Sequence, residues 1–272
     1  MNVSGDVIFN FRTLYFYVKF IQKRKGSSNQ EVGDQSEGPD ISDVESRRGL
    51  QSPYSRDHDE LRKSREQMVE YLCRDNVITD PHVARAMRKV PRHLCLPPNY
   101  QNFSYEPYPT GAVLSSYPGY VSRVACLLKV KPTNNILLVG VGDGYLMAIL
   151  AELANKGHVS GVEINEKIAS ETQQRLHNMG YGNISIITGD GKNGFLAKAP
   201  FDRIVVNAAA EHIPPPLMEQ LNENGILFIP ICSKRGAQFQ FVRSAWPTII
   251  KKTPTGIEEE TLQWDISSET LK

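Results

Sequence analysis

The stretch Ile136-Leu137-Leu138-Val139-Gly140-Val141-Gly142-Asp143-Gly144 decides the fold of this chain. Its four apolar residues predict a buried strand, and the amphipathic residues 145–155 that follow predict a helix. Gly140, Gly142 and Gly144 predict a tight turn between the two, where the backbone can approach a ligand beside a helix N-terminus. Such a turn is weak evidence alone, because a purely structural strand-to-helix turn has the same pattern.

Downstream of the glycine turn, apolar strands alternate with amphipathic helices. The predicted strands are residues 158–162, 184–187, 201–206 and 225–230, and the predicted helices are residues 166–179 and 216–221. This alternation is typical of a parallel sheet with crossover helices. We therefore predict an α/β fold with a doubly wound, Rossmann-like and mostly parallel sheet.

Two acidic residues follow the next two strands and strengthen the case for a ligand site. Glu163 lies about twenty residues after the glycine turn, where a carboxylate can accept both hydroxyls of a ribose. Asp190, followed by Gly191, ends the third strand, where a carboxylate can accept a hydrogen bond from the amino group of an adenine. Because these features fall at three consecutive strand ends, a nucleoside site is favoured over solvated loop residues.

The residues before the sheet indicate a helical extension and a linker. Met68, Val69, Leu72 and Cys73 recur at helical spacing, and a second helix is indicated over residues 81–90. Residues 26–60 are polar and have no hydrophobic period, which is typical of disorder. We expect residues 1–60 to be disordered or weakly structured and residues 61–272 to form one domain with an N-terminal helical extension.

Composition excludes several classes of function. Lys and Arg total 31 against 30 for Asp and Glu, so the net charge gives no reason to expect nucleic-acid binding. The four cysteines are scattered and predict neither a zinc cluster nor a disulfide framework. The apolar runs within residues 7–18 are too short and interrupted to span a bilayer. We expect a cytoplasmic monomer without a metal; an interfacial or mitochondrial N-terminal segment is the alternative.

From Glu66 to about Arg243 the chain resembles the protein-L-isoaspartate O-methyltransferase family. Besides the glycine turn, the matching blocks are Met68-Val69-Glu70, Val90-Pro91-Arg92-His93, Pro97-Pro98-Asn99-Tyr100, Gly189-Asp190-Gly191, residues 199–204, Ala208-Ala209-Ala210 and residues 213–217. The resemblance implies a methyltransferase sheet, S-adenosyl-L-methionine as cofactor and isoaspartyl residues of damaged proteins and peptides as substrate. It assigns Gly140, Gly142, Gly144, Glu163, Asp190 and Gly191 to the cofactor.

The implied reaction transfers a methyl group to the free isoaspartyl carboxylate, and the ester then cyclises to a succinimide. A carboxylate is already a nucleophile, so catalysis requires alignment and exclusion of water rather than a strong base. The family's signature loop, Thr-Ile-Ser-Ala-Pro-His, corresponds here to Leu114-Ser115-Ser116-Tyr117-Pro118-Gly119. Ser116 is the retained serine, and the resemblance assigns to it the positioning of the substrate carboxylate.

Three features depart from the family pattern. Leu114 and Gly119 replace the threonine and histidine of the loop, and the C-terminal residues lack the family's Val-Pro-Leu motif. Leu138 stands where the family has an acid, which would remove one charge-assisted hydrogen bond worth on the order of 1.5–3 kcal/mol. These departures leave two alternatives open: a catalytically weakened or inactive binding or adaptor module, and methyl transfer to a different substrate.

Overall fold

The computed structural model describes residues 59–107, 117–232, 244–263 and 266–267. The described helices are α1 (Asp59–Arg74), α2 (Pro81–Lys89), α3 (Pro118–Leu128), α4 (Tyr145–Leu153), α5 (Glu166–Asn178) and α6 (Pro215–Glu219). The described strands are β1 (Asn135–Val139), β2 (His158–Glu163), β3 (Ile184–Thr188), β4 (Phe201–Val206), β5 (Leu221–Cys232), β6 (Ser244–Thr253), β7 (Gly256–Thr261) and β8 (Ile266–Ser267). The prediction for residues 1–60 falls almost wholly outside the described residues and stays a prediction.

The strands form one sheet with the order β3-β2-β1-β4-β5-β6-β7, and β8 pairs with β6. Strands β1 to β5 pair in parallel, whereas β6 is antiparallel to both β5 and β7. The predicted mostly parallel, doubly wound sheet is therefore confirmed. The strand order reverses between β1 and β4, and this switch point is where open α/β sheets bind ligands, beyond the carboxyl ends of the strands.

Alternate side chains of the parallel strands fill two separate cores. Leu138 and Val205 face a core shared with the N-terminal helices and α4, whereas Leu137 and Ile204 face a second core that includes Leu217 of α6. All five side chains are completely buried. The period of two along each strand thus places helices on both faces of the sheet, as a doubly wound fold requires.

Buried polar side chains join the parts of the helical extension to one another. Arg65 of α1 donates from Nε to the carbonyl oxygen of Arg88 over 2.6 Å and from Nη1 to the Tyr105 hydroxyl over 3.2 Å. The Tyr105 hydroxyl in turn lies 2.7 Å from Nδ1 of His93. A charged group is tolerated in a core only when it is hydrogen-bonded, and these partners accept from the Nε and Nη1 atoms of Arg65.

Candidate functional site

The predicted glycine turn joins β1 to α4. Gly140, Gly142 and Gly144 have φ angles of +82°, +55° and +84°, a region that L-residues with a Cβ rarely adopt. The N–H of Gly140 donates to the carbonyl of Val162 on β2 over 2.9 Å, and that of Gly144 donates to the carbonyl of Val141 over 3.1 Å. The turn is therefore closed on itself and tied to the neighbouring strand.

The surroundings of the glycines differ sharply. A Cβ on Gly142 would meet no atom within 4 Å, whereas a Cβ on Gly144 would lie only 2.6 Å from Cγ2 of Thr172. A Cβ on Gly140 would make ordinary contact at 3.7 Å with Asn207. Gly142 thus borders open space where a ligand can approach the backbone, and Gly144 allows α5 to pack closely against the turn.

Glu163 is the last residue of β2, and its carboxylate contacts the glycine turn directly. One oxygen, Oε2, accepts from the N–H of Gly142 over 3.1 Å, and Oε1 accepts from the N–H of Asn165 over 3.1 Å. The residue is only 8% exposed. Since each carboxylate oxygen can accept a second hydrogen bond, Glu163 can still receive the hydroxyls of a ribose.

Asp190 and Gly191 follow β3 at the same edge of the sheet. The carboxylate of Asp190 accepts from the N–H of Lys192 over 2.9 Å, and the side chain is 39% exposed. The N–H of Gly189 donates to the carbonyl of Glu163 over 2.9 Å, which joins the ends of β2 and β3. The structure therefore brings the glycine turn and Glu163 into contact and places Asp190 one strand further along the same edge.

Ser116, the predicted catalytic residue, lies outside the described residues, so its role stays a prediction. The flanking residues are described: α3 begins at Pro118, and the N–H of Gly119 donates to the carbonyl of Pro107 over 3.0 Å. This bond joins the two described ends of the segment that contains Ser116. The Tyr117 ring lies 6.0 Å from the Tyr120 ring, which makes an edge contact with Phe228 of β5.

Two residues at the ligand-binding edge were not identified from the sequence. Asn207 follows β4 at the switch point, donates from its N–H to the carbonyl of Val139 over 2.8 Å and places Nδ2 3.4 Å from the carbonyl oxygen of Gly140. Ile164, directly after Glu163, is 57% exposed although it is apolar. The available signal was their position, since Asn207 directly follows a predicted buried strand and Ile164 lies two residues beyond one.

The helical extension also reaches the glycine turn. The guanidinium of Arg92 lies 5.4 Å from the ring centroid of Tyr145, the first residue of α4, and its Nη1 donates to the carbonyl of Ser104 over 2.9 Å. Burial raises the pKa of the Cys95 thiol well above its usual range, and the nearby Asp143 raises it further. Cys95 is therefore a packed thiol and is unsuited to act as a nucleophilic thiolate.

The described part of the chain contains neither a metal-binding cluster nor a membrane-spanning helix. Within residues 59–107, 117–232 and 244–263, no three His, Cys, Asp or Glu side chains are grouped closely enough to hold a metal ion. None of the helices in these same ranges is long and apolar enough to cross a membrane. The described residues form a doubly wound α/β fold with a candidate nucleoside site at the carboxyl ends of β1 and β2.

Comparison with known proteins identifies the family of this α/β protein. Residues 63–257 match the sequence model described as Protein-L-isoaspartate(D-aspartate) O-methyltransferase (PCMT). A protein-L-isoaspartate O-methyltransferase of Aeropyrum pernix is 41% identical over 209 residues, which cover 75% of this chain and 77% of the relative. One from Methanoculleus marisnigri is 40% identical over 176 residues, or 64% and 79% of the two chains. The chain belongs to the protein-L-isoaspartate(D-aspartate) O-methyltransferase family, which confirms the resemblance.

The fold is shared with solved structures of the same family. A putative protein-L-isoaspartate O-methyltransferase from Plasmodium falciparum, solved in complex with S-adenosyl-L-homocysteine, superposes with a TM-score of 0.62 at 24% identity. The match covers 76% of this chain and 98% of that one. A second protein-L-isoaspartate O-methyltransferase gives a TM-score of 0.65 at 24% identity, with 76% and 66% of the chains covered. At this identity the likeness establishes the fold.

The unequal surroundings of Gly142 and Gly144 predict unequal effects of alanine. Both substitutions place a Cβ at positive φ, at a cost of about 1–2 kcal/mol. Gly144→Ala should lose about 1–3 kcal/mol more, because Thr172 is β-branched and cannot rotate away easily. Urea unfolding of the two variants measures the difference directly. Equal losses of stability would show that α5 does not press on the turn as described.

The burial of Leu138 predicts a stability effect at the position where the family has an acid. Leu138 is completely buried in an apolar core, so Leu138→Asp should lower the free energy of unfolding by about 3–5 kcal/mol. Leu138→Met, which conserves volume, should cost less than about 1.5 kcal/mol. Both changes in the free energy of unfolding are measured from the midpoints and slopes of urea unfolding curves. An unchanged midpoint for Leu138→Asp would mean that its carboxylate reaches water or a ligand.

Proposed function

We propose that this chain uses S-adenosyl-L-methionine to methylate the free carboxylate of isoaspartyl residues in damaged proteins and peptides. The observation that carries the proposal is the family match over residues 63–257, which includes every described element of the site. The contact between Gly142 and Glu163 supports it, because it brings the two predicted cofactor groups together. The modification would initiate repair of the isoaspartyl linkage.

The chemistry of the described edge fits a nucleoside cofactor. The open space beside Gly142 admits a ligand to the backbone, and the Glu163 carboxylate can accept ribose hydroxyls. Ile164 exposes an apolar surface next to that carboxylate, against which an adenine ring can pack. Asp190 remains the proposed acceptor for the adenine amino group, with Gly191 beside it. The proposed nucleoside contacts thus extend from the turn to the ends of β2 and β3.

The methionine end of the cofactor has a different set of candidate contacts. Leu138 offers no polar group at the position where the family has an acid, and its side chain is buried. Asn207 lies across the switch point beside Gly140 and carries both an amide donor and an acceptor. We therefore assign Asn207, together with the turn, to the polar methionine end.

The proposed mechanism depends on the alignment of the methyl donor with the substrate carboxylate. When bound, S-adenosyl-L-methionine supplies an electrophilic methyl group on a sulfonium centre. The ionised substrate carboxylate would take that methyl group as the carbon–sulfur bond breaks, and S-adenosyl-L-homocysteine would leave as a neutral thioether. No residue of this chain would have to remove a proton. Ser116 would hold that carboxylate in line, and the glycine turn would hold the donor. Holding two reactants in line can contribute about 7–11 kcal/mol to lowering the barrier.

The remaining proposals concern the state of the protein. We infer that it acts as a monomer in the cytoplasm on exposed isoaspartyl sites, without nucleic acid or an integral membrane span. The near balance of 31 basic and 30 acidic residues is consistent with substrates of varied sequence, because it imposes no strong overall charge preference.

The function is tested by incubating the full chain with methyl-labelled S-adenosyl-L-methionine and an isoaspartyl peptide, beside its normal aspartyl twin. Label should enter the isoaspartyl peptide alone as a base-labile ester. Label in neither peptide, with no heat of cofactor binding by calorimetry, would contradict the proposal and favour an adaptor role. Cofactor binding without isoaspartyl label would favour another methyl acceptor.

The role of Ser116 is tested by Ser116→Ala, with the adjacent Ser115→Ala as the matched control. Loss of a hydrogen bond to a charged carboxylate should lower kcat/KM for the isoaspartyl peptide roughly tenfold to a hundredfold. The affinity for S-adenosyl-L-homocysteine should stay within twofold, since the serine is assigned to the substrate. Equal activities of the two variants would remove Ser116 from the site.

A further inference from the structure

Helix α5 contacts the outer side of the glycine turn through Thr172. Its hydroxyl donates to the carbonyl oxygen of Gly142 over 2.8 Å, and the residue is 1% exposed. Its methyl group occupies the place that a Cβ on Gly144 would need. The Thr172 side chain therefore has two effects on the turn. Its hydroxyl satisfies the carbonyl of Gly142, and its methyl group leaves no room for a side chain at position 144.

Arg175 adds a second contact one helical turn further on. Its Nη1 donates to the carbonyl oxygen of Asp143 over 3.2 Å and to the Thr172 hydroxyl oxygen over 3.4 Å. Residues three apart lie on the same side of a helix, so α5 presents both side chains to the turn together. Two successive carbonyl groups of the turn are thus bound from the same helix.

These contacts complete the restraint of Gly142. Its N–H donates to the carboxylate of Glu163, and its carbonyl accepts from Thr172. Both peptide groups that flank the Cα of Gly142 are therefore held, while the space beside the Cα stays open. A glycine can adopt many backbone conformations. The two hydrogen bonds restrain Gly142 to the conformation in which its backbone is open to a ligand.

We propose that Thr172 and Arg175 are positioning residues that set the affinity for the nucleoside cofactor without touching it. The proposal rests on the proposed function, since it concerns the same site. By holding the carbonyls of Gly142 and Asp143, they keep the turn in its binding conformation before the cofactor arrives. Preorganisation of this kind improves affinity because less conformational freedom is lost on binding.

A role limited to attaching α5 to the sheet is less consistent with the contacts. Gln173 accepts from the N–H of Ile186 on β3 over 2.7 Å, and Leu176 is completely buried. Gln173 therefore joins the helix to the sheet through a hydrogen bond that does not involve the turn, whereas Leu176 packs beside Gly144 without a hydrogen bond to it. Gln173 supplies a matched control, because it lies on the same helix and makes a sheet contact of similar length.

The test compares Thr172→Val, Thr172→Ser, Arg175→Met and Gln173→Ala in the full chain. Thr172→Val keeps the shape but loses the hydroxyl, whereas Thr172→Ser keeps the hydroxyl. The dissociation constant for S-adenosyl-L-homocysteine is measured by calorimetry, and urea midpoints are measured in parallel. Loss of one hydrogen bond to the turn should weaken binding about fivefold in Thr172→Val and in Arg175→Met. Thr172→Ser and Gln173→Ala should stay within twofold of the wild type.

A further readout separates positioning of the turn from a general loss of structure. In Thr172→Val, the KM for S-adenosyl-L-methionine should rise about fivefold while the KM for the isoaspartyl peptide stays unchanged. Unchanged S-adenosyl-L-homocysteine affinity in Thr172→Val, or equal weakening in Gln173→Ala, would overturn the proposal and leave the proposed function intact. Absence of binding to the wild-type chain would overturn both.

Discussion

The contact between the N–H of Gly142 and the carboxylate of Glu163 is the interaction on which the site depends. It joins the turn after β1 to the end of β2, and the second carboxylate oxygen accepts from Asn165, the residue that caps α5. Thr172 lies seven residues after that cap, about two turns along the helix. The Glu163 carboxylate at the end of β2 is therefore hydrogen-bonded both to the glycine turn and to the N-terminal cap of α5, the helix that restrains the turn.

The predictable parts of the fold are those that a short stretch of sequence determines. Buried parallel strands are apolar runs of four to six residues, and β1 to β4 were all recognised close to their observed ends. The glycine turn was recognisable as a tight turn because glycine readily adopts the positive φ angles that such a turn between a strand and a helix requires. Glu163 and Asp190 were identified because the carboxyl ends of parallel strands share one edge, so strand order alone places the residues that follow them.

Other features depend on contacts that no local pattern specifies. The β6–β7 hairpin was not predicted, although Pro254 lies in its turn and Gly256 follows it. Pro247 lies within β6, where a proline cannot donate to the strand ladder, so the residues do not show a plain strand pattern. Thr172 contacts the turn thirty residues earlier in the chain, and an isolated threonine on an amphipathic helix gives no indication of that partner. The position of Asn207 after a strand was visible in the sequence, but its contact with Gly140 depends on the pairing of β4 with β1, which no short stretch of sequence specifies.

The hydrogen bond from Gly119 to Pro107 has an evolutionary consequence. It fixes the distance between the points where the Ser116 segment leaves and re-enters the described fold. Residues can therefore be inserted, removed or exchanged between these points without displacing α3 or the glycine turn. If Ser116 holds the substrate as proposed, acceptor preference can diverge through that segment while the cofactor-binding turn is retained. The replacements at Leu114 and Gly119 in this chain are the kind of variation that such independence permits.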